Sequence, residues 1–193
     1  MDTNLIIVVI YSYLLGSIPF GLVLTKIFLK KDIRNVGSGN IGSTNVLRTG
    51  NKLLAISTLA LDLLKGYISV YISKFYFENL TSLSALICFI GHIFPIWLKF
   101  KGGKGVATYL GIILALSNKF FLIFSVSCIS LSLLFRFASL SSMISTLIVY
   151  LYAYFFEINN NIPILFIFFL MILFTHKENI LRLKSSTENK IKL

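Results

Sequence analysis

Acidic residues, cysteine and proline are scarce in this chain of 193 residues, which contains seven Asp and Glu, two Cys and three Pro. Cys88 and Cys128 both lie inside apolar stretches, so neither a disulfide framework nor a metal cluster is expected. Charged residues make up only 13% of the chain, against about 25% in an ordinary soluble domain. This shortage of charge excludes a water-soluble globular protein.

Apolar residues are correspondingly abundant, at 56% of the chain, and include 18 Phe and nine Tyr. One small core cannot bury so much apolar surface, and no polar segment is long enough to form a second domain. We therefore expect a single integral membrane domain over residues 1–193, whose surplus apolar surface faces lipid.

Apolar segments of roughly 20 residues predict membrane-spanning helices, and shorter segments are accepted where basic side chains flank them. The chain divides into seven such segments, at residues 5–28, 53–76, 80–98, 106–117, 120–135, 140–156 and 162–175. The expected fold class is therefore all-α, a polytopic membrane protein with seven transmembrane helices. The fourth and seventh segments are short. If neither crosses, the count falls to five and both ends of the chain keep their sides.

The positions of Lys and Arg predict the orientation, because cytoplasmic loops carry the excess of these residues. Fifteen of the 18 cations fall on one side, Lys74 and Lys119 fall on the other, and Lys65 lies within the second span. The N-terminus is therefore expected outside and the C-terminus in the cytoplasm. Because topology and anion binding account for the net charge of +11, no nucleic acid is expected as a partner. The fifteen cytoplasmic cations are Lys26, Lys30, Lys31, Arg34, Arg48, Lys52, Lys99, Lys101, Lys104, Arg136, Lys177, Arg182, Lys184, Lys190 and Lys192.

The first cytoplasmic loop, residues 32–48, is rich in glycine, hydroxyl and amide side chains. Its glycines allow the backbone to approach an anion closely, and Arg48 can hold two phosphate oxygens at once. The glycines also form the pattern GxGxxG. We discount a dinucleotide site, because its neighbours are predicted membrane spans and not a strand and a helix. A flexible polar connector is the alternative interpretation.

The third cytoplasmic loop, residues 99–105, places glycines on both sides of Lys104 directly before the fourth apolar segment. The first N–H groups of a helix have no intrahelical partners and carry the positive end of its dipole. Such a helix start binds anions, and Lys104 adds a full positive charge. The alternative is a basic loop that only anchors the topology.

Other polar residues lie at the cytoplasmic ends of the predicted spans, where structural capping is the alternative to a functional role. Asp62 and Lys65 instead lie on one face of the second span, where charges are costly. This pair is either a structural tie or part of a polar cavity. The residues at the span ends are His92, Arg136, Ser139, Ser142, His176 and Asn179.

Motifs along nearly the whole chain resemble those of the bacterial acyl-phosphate:glycerol-3-phosphate acyltransferase family. The resemblance implies an enzyme of the bacterial inner membrane with seven spans and an active site that faces the cytoplasm. It also implies transfer of a fatty acyl group from acyl phosphate to the 1-position of glycerol 3-phosphate, giving lysophosphatidic acid and phosphate, as the first step of phospholipid synthesis. The motifs occupy residues 16–21, 37–50, 61–66, 91–95, 100–108, 176–183 and 187–189.

The resemblance implies roles for individual residues and requires neither a cofactor nor a metal. Three positions depart from the family, with Ile41 in place of Pro, Ser43 in place of Ala and Ser186 in place of Gly. The expected phosphate-binding residues are Ser38, Gly39, Asn40, Asn45, Arg48, Gly103, Lys104 and Gly105. Those expected to position glycerol 3-phosphate are Ser142, His176 and Asn179. The catalytic candidates are His176, Lys104, Arg48 and Ser142, and the supporting ones are His92, Arg136, Ser139, Asp62 and Lys65.

The expected partners are acyl phosphate, glycerol 3-phosphate and membrane lipid, and functional coupling to the enzyme that makes acyl phosphate is left open. The base that deprotonates the glycerol hydroxyl is either His176 or a phosphate oxygen of a substrate. A transporter of a phosphorylated metabolite is the competing class, in which Asp62 and Lys65 would line a path. It is disfavoured because the outer turns offer little polarity beyond Glu78, Lys119 and residues 159–161.

Overall fold

The structure, a computed structural model, describes residues 3–157 and 161–191, and every regular element within these ranges is helical. Asn159, Asn160 and Lys192, which entered the topology argument, lie outside the described residues. The chain divides into two compact units, Met1–Leu116 and Ser117–Leu193, which are described separately. The expectation of a single domain over residues 1–193 stays a prediction.

In the first unit, α4 packs against α6, and α1 packs against α5. Glycines permit the closest of these contacts, because a Cβ atom on Gly66 would collide with the carbonyl of Thr108. Single 3₁₀ turns precede and follow α5, and another lies in the first loop. The helices are α1 (Thr3–Ser17), α2 (Phe20–Leu29), α3 (Ser43–Leu47), α4 (Lys52–Tyr76), α5 (Thr81–Ile93) and α6 (Val106–Leu116).

The first predicted span is broken. The segment expected as one stretch over residues 5–28 consists of α1 and α2, which are bent by 40° relative to each other. The break contains Pro19, which has no N–H to donate and whose ring disfavours a helical conformation at Ile18. The bend places the carbonyl groups at the end of α1 where other side chains can reach them.

The second unit contains α7 (Asn118–Phe135), α8 (Ala138–Phe156), α9 (Ile162–Thr175) and α10 (Lys177–Lys184). Helix α8 packs against both α7 and α9, and α10 is bent by 60° from α9 at His176. Along α7 only Phe120 and Phe124 are buried, whereas side chains such as Leu122 and Val126 are more than half exposed. Such an apolar exterior is that of a helix in contact with lipid.

Four of the described helical segments are long and apolar enough to cross a membrane, and the number rises to six if each bent pair is one span. The helix in the fourth predicted segment has only 11 residues, against the roughly 20 that a full crossing needs. The counts of seven and five spans both stay predictions. The four segments are Lys52–Tyr76, Glu78–Leu98, Asn118–Phe135 and Ala138–Phe156.

Candidate active site

Asn45 organises the first loop from inside. Its side chain is buried, and its Nδ2 donates to the carbonyl oxygens of Ile33, Val36 and Asn40 at 3.1, 2.9 and 2.7 Å. Its Oδ1 accepts from the backbone N–H of Ser38 at 3.0 Å. Both ends of the amide therefore point into the loop. This geometry supports a role in shaping the loop, whereas the sequence suggested direct contact with phosphate.

The other candidates of the first loop lie on its surface. Ser38, Gly39 and Arg48 are exposed, and Asn40 is half-buried. Arg48 follows α3, and its side chain packs against Gly37. A Cβ atom added to Gly37 would lie 3.1 Å from Arg48 Nη1. A guanidinium and a hydroxyl thus occur together on one exposed surface, which suits a phosphate group.

Arg34, the second arginine of the loop, is bound to Asp32. Arg34 Nε donates to Asp32 Oδ1 at 2.9 Å, and Arg34 Nη2 lies 2.6 Å from Asp32 Oδ2. This hydrogen bonding lowers the pKa of Asp32 to about 2, with a smaller contribution from the charge of Lys26. Arg34 therefore neutralises an acid within the loop, and Arg48 is the better candidate for an external anion.

An apolar core joins the first and third loops within the first unit. Ile33, Ile41 and Val46 come from the first loop and pack with Leu98, which belongs to the 3₁₀ turn that opens the third loop. Ile41, where the family has Pro, is only 3% exposed. Burial of these side chains holds the two loops together through the hydrophobic effect.

The third loop is fastened to the end of α5. The N–H of Gly102 donates to the carbonyl of Ile93 at 2.9 Å, and that of Gly103 donates to the carbonyl of His92 at 3.1 Å. A Cβ atom on Gly103 would collide with the imidazole of His92.

Gly105 has a φ of +86°, and a Cβ atom there would collide with the ring of Phe89. Only glycine fits on either side of the half-buried Lys104.

The pair within the second predicted span is closed off from solvent. The side chains of Asp62 and Lys65 are 3% and 2% exposed, and Lys65 Nζ lies 2.7 Å from Asp62 Oδ1. Lys65 also donates to the carbonyl of Ile18 at 2.8 Å. His92 Nδ1 lies 3.7 Å from Asp62 Oδ1. Of the two interpretations that the sequence left open, this burial supports a structural tie.

In the second unit, Glu188 gathers three of the polar side chains, although it was not among the candidate residues. Its Oε1 accepts from Ser139 Oγ at 2.7 Å and from Asn179 Nδ2 at 2.6 Å. Its Oε2 accepts from Arg182 Nε at 2.7 Å. One feature of the sequence could have identified Glu188: it is an isolated acid in the last family motif, and it lies close to Asn179, which was predicted to bind substrate.

His176 and Ser142 are buried and oriented by the backbone. His176 lies at the bend between α9 and α10, with Nδ1 2.8 Å from the carbonyl of Ile172. When Nδ1 donates this hydrogen bond, a neutral imidazole carries its lone pair on Nε2. Ser142 Oγ donates to the carbonyl of Ser139 at 3.0 Å. Arg136, another candidate, accepts through its carbonyl from the N–H of Ile191, which fastens the C-terminal tail.

The docking of the tail through Glu188 is expected to weaken in acid. Burial by itself would raise the pKa of this carboxyl, but hydrogen bonds from Arg182, Asn179 and Ser139 and the charge of Arg182 hold it below its ordinary value. The stabilisation is therefore present above the unfolded-state pKa of about 4.3 and is lost as the pH falls through the lower folded-state pKa.

This loss can be measured as the difference in Tm between the unmodified protein and Glu188→Gln over a pH series. We expect a difference that is constant near neutral pH and shrinks as the pH falls below about 4.3. Glu178→Gln is the matched control, because Glu178 is an exposed acid 3.9 Å from the same Arg182. A difference for Glu188→Gln that does not change with pH would contradict the assignment.

Ser186 occupies a position that favours glycine. The N–H of Thr187 donates to the carbonyl of Arg182, and that of Ser186 donates to the carbonyl of Leu183, which together form a Schellman motif after α10. Ser186 has the left-handed conformation of this motif, with a φ of +57°. Ser186→Gly is expected to stabilise the protein by about 0.5–1 kcal/mol, measured as a higher Tm. Ser185→Gly, with an ordinary φ of −87°, should give no gain.

These observations define a helical membrane protein whose glycine-bracketed, cationic loops suit an oxyanion. The family model described as glycerol-3-phosphate acyltransferase matches residues 6–186. The chain therefore belongs to the glycerol-3-phosphate acyltransferase family, and it is an integral membrane acyltransferase.

Individual proteins of this family are similar to the chain over almost its whole length. A glycerol-3-phosphate acyltransferase of Pelagibacter ubique (strain HTCC1062) is 51% identical over 188 residues, covering 97% of this chain and 98% of its own. That of Mesorhizobium japonicum is 47% identical over 192 residues, covering 99% and 98%. The crystal structure of PlsY (YgiH), an integral membrane glycerol 3-phosphate acyltransferase in its glycerol 3-phosphate form, matches with a TM-score of 0.92 and 36% identity, covering 97% of this chain and 95% of that one. Its lysophosphatidic acid form matches with a TM-score of 0.89.

Proposed function

We propose that this acyltransferase takes its acyl group from an acyl phosphate and transfers it to the 1-hydroxyl of glycerol 3-phosphate. The products are lysophosphatidic acid and phosphate. The observation that carries this proposal is the joining of two loops, one with Ser38 and Arg48 and the other with Lys104, over one apolar core. Both substrates carry a phosphate, and the donor also carries a chain that requires an apolar environment.

An acyl phosphate is a mixed anhydride, so it is already activated and no covalent enzyme intermediate is required. The glycerol hydroxyl oxygen attacks the acyl carbon, the bond from that carbon to the phosphate oxygen breaks, and phosphate leaves with the electron pair. The protein contributes by aligning hydroxyl and carbonyl and by neutralising the negative charge on the departing phosphate. In our proposal Arg48 and Lys104 supply the positive charges that neutralise the phosphate, and Ser38 and backbone N–H groups donate hydrogen bonds to it.

The side chains of the second unit are proposed to act on the acceptor. Ser142, His176 and Asn179 position glycerol 3-phosphate, and Glu188 holds Asn179 in place through the 2.6 Å hydrogen bond. The orientation of His176 by the carbonyl of Ile172 supports a role for Nε2 toward the substrate. The proton of the attacking hydroxyl passes either to this nitrogen or to a phosphate oxygen of a substrate.

The two possible bases are distinguished by His176→Ala. A general base contributes about 10² to 10⁴ to the rate, so a loss of that size in kcat is expected if His176 accepts the proton. Retention of kcat within roughly tenfold would assign the proton to a substrate phosphate oxygen. The measurement is the steady-state rate of lysophosphatidic acid formation, with Tm as the check on folding.

The proposed topology has seven spans, an outside N-terminus, a cytoplasmic C-terminus and a site on the cytoplasmic face of the bacterial inner membrane. The distribution of Lys and Arg supports it. Cysteines introduced at Ser38 and Lys104 should react with an impermeant reagent from the same side of sealed vesicles. Reaction from opposite sides would exclude a shared phosphate site.

One assay tests the activity directly. Purified protein in detergent is given acyl phosphate and glycerol 3-phosphate without acyl-CoA or acyl carrier protein, and lysophosphatidic acid should form. Formation only with acyl-CoA or acyl carrier protein would reject the proposed donor. The burial of Asp62 and Lys65 disfavours the transporter interpretation, in which this pair would line a path.

A further inference from the structure

Three buried polar side chains of the first unit, Asp62, Lys65 and His92, remain outside the substrate contacts proposed above. They are only 2–4% exposed and lie within 4 Å of one another through Asp62 Oδ1. We propose that this buried triad is a positioning network, which fixes the position of Lys104 relative to the junction of α1 and α2. The inference rests on the phosphate-binding role proposed for Lys104.

His92 forms the end of the triad that supports the third loop. Its carbonyl accepts from the N–H of Gly103 at 3.1 Å, and the N–H of Gly102 donates to the neighbouring carbonyl of Ile93. Its imidazole lies so close beneath Gly103 that no Cβ atom fits between them. A rotation of the imidazole would therefore move the surface on which Gly103 rests. Lys104, the next residue, would move with it.

Lys65 forms the end of the triad at the junction of α1 and α2. Its Nζ donates to the carbonyl of Ile18 at 2.8 Å and lies 5.7 Å from the ring centroid of Phe20, the first residue of α2. At this break the carbonyl of Ile18 accepts from the backbone N–H of Phe20 at 3.2 Å as well as from Lys65. Lys65 is thus the side chain that fixes the start of α2, which leads into the first loop.

The properties of the triad favour a positioning role over stabilisation. Replacement of a buried ion pair by apolar residues is often neutral or stabilising, so stability alone does not require Asp62 and Lys65. Within residues 3–157 and 161–191, neither Asp62 Oδ1 nor His92 Nδ1 makes a hydrogen bond of good geometry. Charges in a membrane span are costly and usually mark a functional site. The contacts of this triad lead to both cationic loops, through Lys65 at the start of α2 and through His92 beneath the third loop.

The decisive variant is Asp62→Asn/Lys65→Met, which removes both charges together. We expect its Tm to lie within a few degrees of the unmodified protein, because no unpaired charge is left buried. We expect kcat to fall about 10- to 100-fold with less than a threefold change in KM for glycerol 3-phosphate, because a displaced Lys104 aligns the departing phosphate poorly. The amides of Gly102 and Gly103 should exchange with solvent deuterium at least tenfold faster.

Lys74→Met is the matched control. Lys74 lies in the last turn of the same helix and, like Lys65, donates to a backbone carbonyl, that of Ala115 at 3.3 Å. It should leave kcat and the exchange of Gly102 and Gly103 unchanged. His92→Gln tests the other end of the triad, with the same losses expected, and decides the question if the double variant does not fold.

The proposal is overturned if a folded double variant, or His92→Gln in its place, keeps normal kcat and normal exchange at Gly102 and Gly103. It is also overturned if Lys74→Met produces the same losses. Failure of the proposed function gives a different result, because the unmodified protein would then form no lysophosphatidic acid from acyl phosphate. The exchange measurement would still report whether the triad holds the third loop.

Discussion

Lys104→Ala is expected to lower kcat/KM for acyl transfer by about 10²- to 10³-fold, equivalent to about 3–4 kcal/mol of transition-state stabilisation. Negative charge develops on the departing phosphate, and Lys104 is the cation held between Gly103 and Gly105. Both glycines pack so tightly on α5 that the loop cannot easily bring another cation to the same place. The measurement is the initial rate of lysophosphatidic acid formation at varied concentrations of both substrates.

The matched control for this prediction is Lys101→Ala. Lys101 is an exposed cation of the same loop, three residues earlier and outside the glycine pair, so its removal should change the rate by less than threefold. Arg48→Ala should cause a loss of the same order as Lys104→Ala, because it removes the exposed guanidinium of the first loop. Near-normal rates with Lys104→Ala or Arg48→Ala would remove that residue from the phosphate site.

Asn45→Asp is expected to inactivate the first loop. The substitution replaces an amide that donates to three carbonyls with a carboxylate that can only accept, so three carbonyl oxygens face a negative charge. Unsatisfied buried groups cost about 1–3 kcal/mol each, so a loss of at least about 3 kcal/mol is expected. We expect Tm to fall by at least about 6–12 °C, and kcat/KM to fall at least 100-fold because Ser38 and Arg48 lose their relative placement.

Asn51→Asp provides the control at a second asparagine of the same region. Asn51 Oδ1 accepts from the N–H of Leu54 and caps α4, and a carboxylate caps a helix equally well. This variant should keep its Tm and its activity. Equal behaviour of Asn45→Asp and Asn51→Asp would show that the buried amide does not hold the loop.

The helical class and most helix positions followed from the sequence because lipid imposes a length and a composition on each span. The segments predicted at residues 53–76, 120–135 and 140–156 lie within α4, α7 and α8 almost to the residue. The first segment was less well predicted, because hydropathy averages over a single proline. Its break at Pro19 depends on local backbone sterics.

The sequence also located the two glycine-rich cationic loops, but not which of their side chains hold a loop from inside. The family resemblance implied that Asn45 binds phosphate, which stays a prediction; in the structure its amide bonds to the backbone of the loop itself. Glu188 was missed because an isolated acid in a tail has no periodicity. Its importance lies in hydrogen bonds to Ser139, 49 residues earlier, and to Asn179.

Composition and spacing by themselves determined that the chain lies in a membrane and that its cations and glycines gather in two loops, because hydrophobicity and charge act through each residue locally. The family motifs added the class of reaction. Only the tertiary structure decided that Asp62, Lys65 and His92 meet, that Ile41 and Leu98 share a core, and that His176 is oriented by Ile172. Contacts of this kind depend on distances between atoms, which local sequence does not specify.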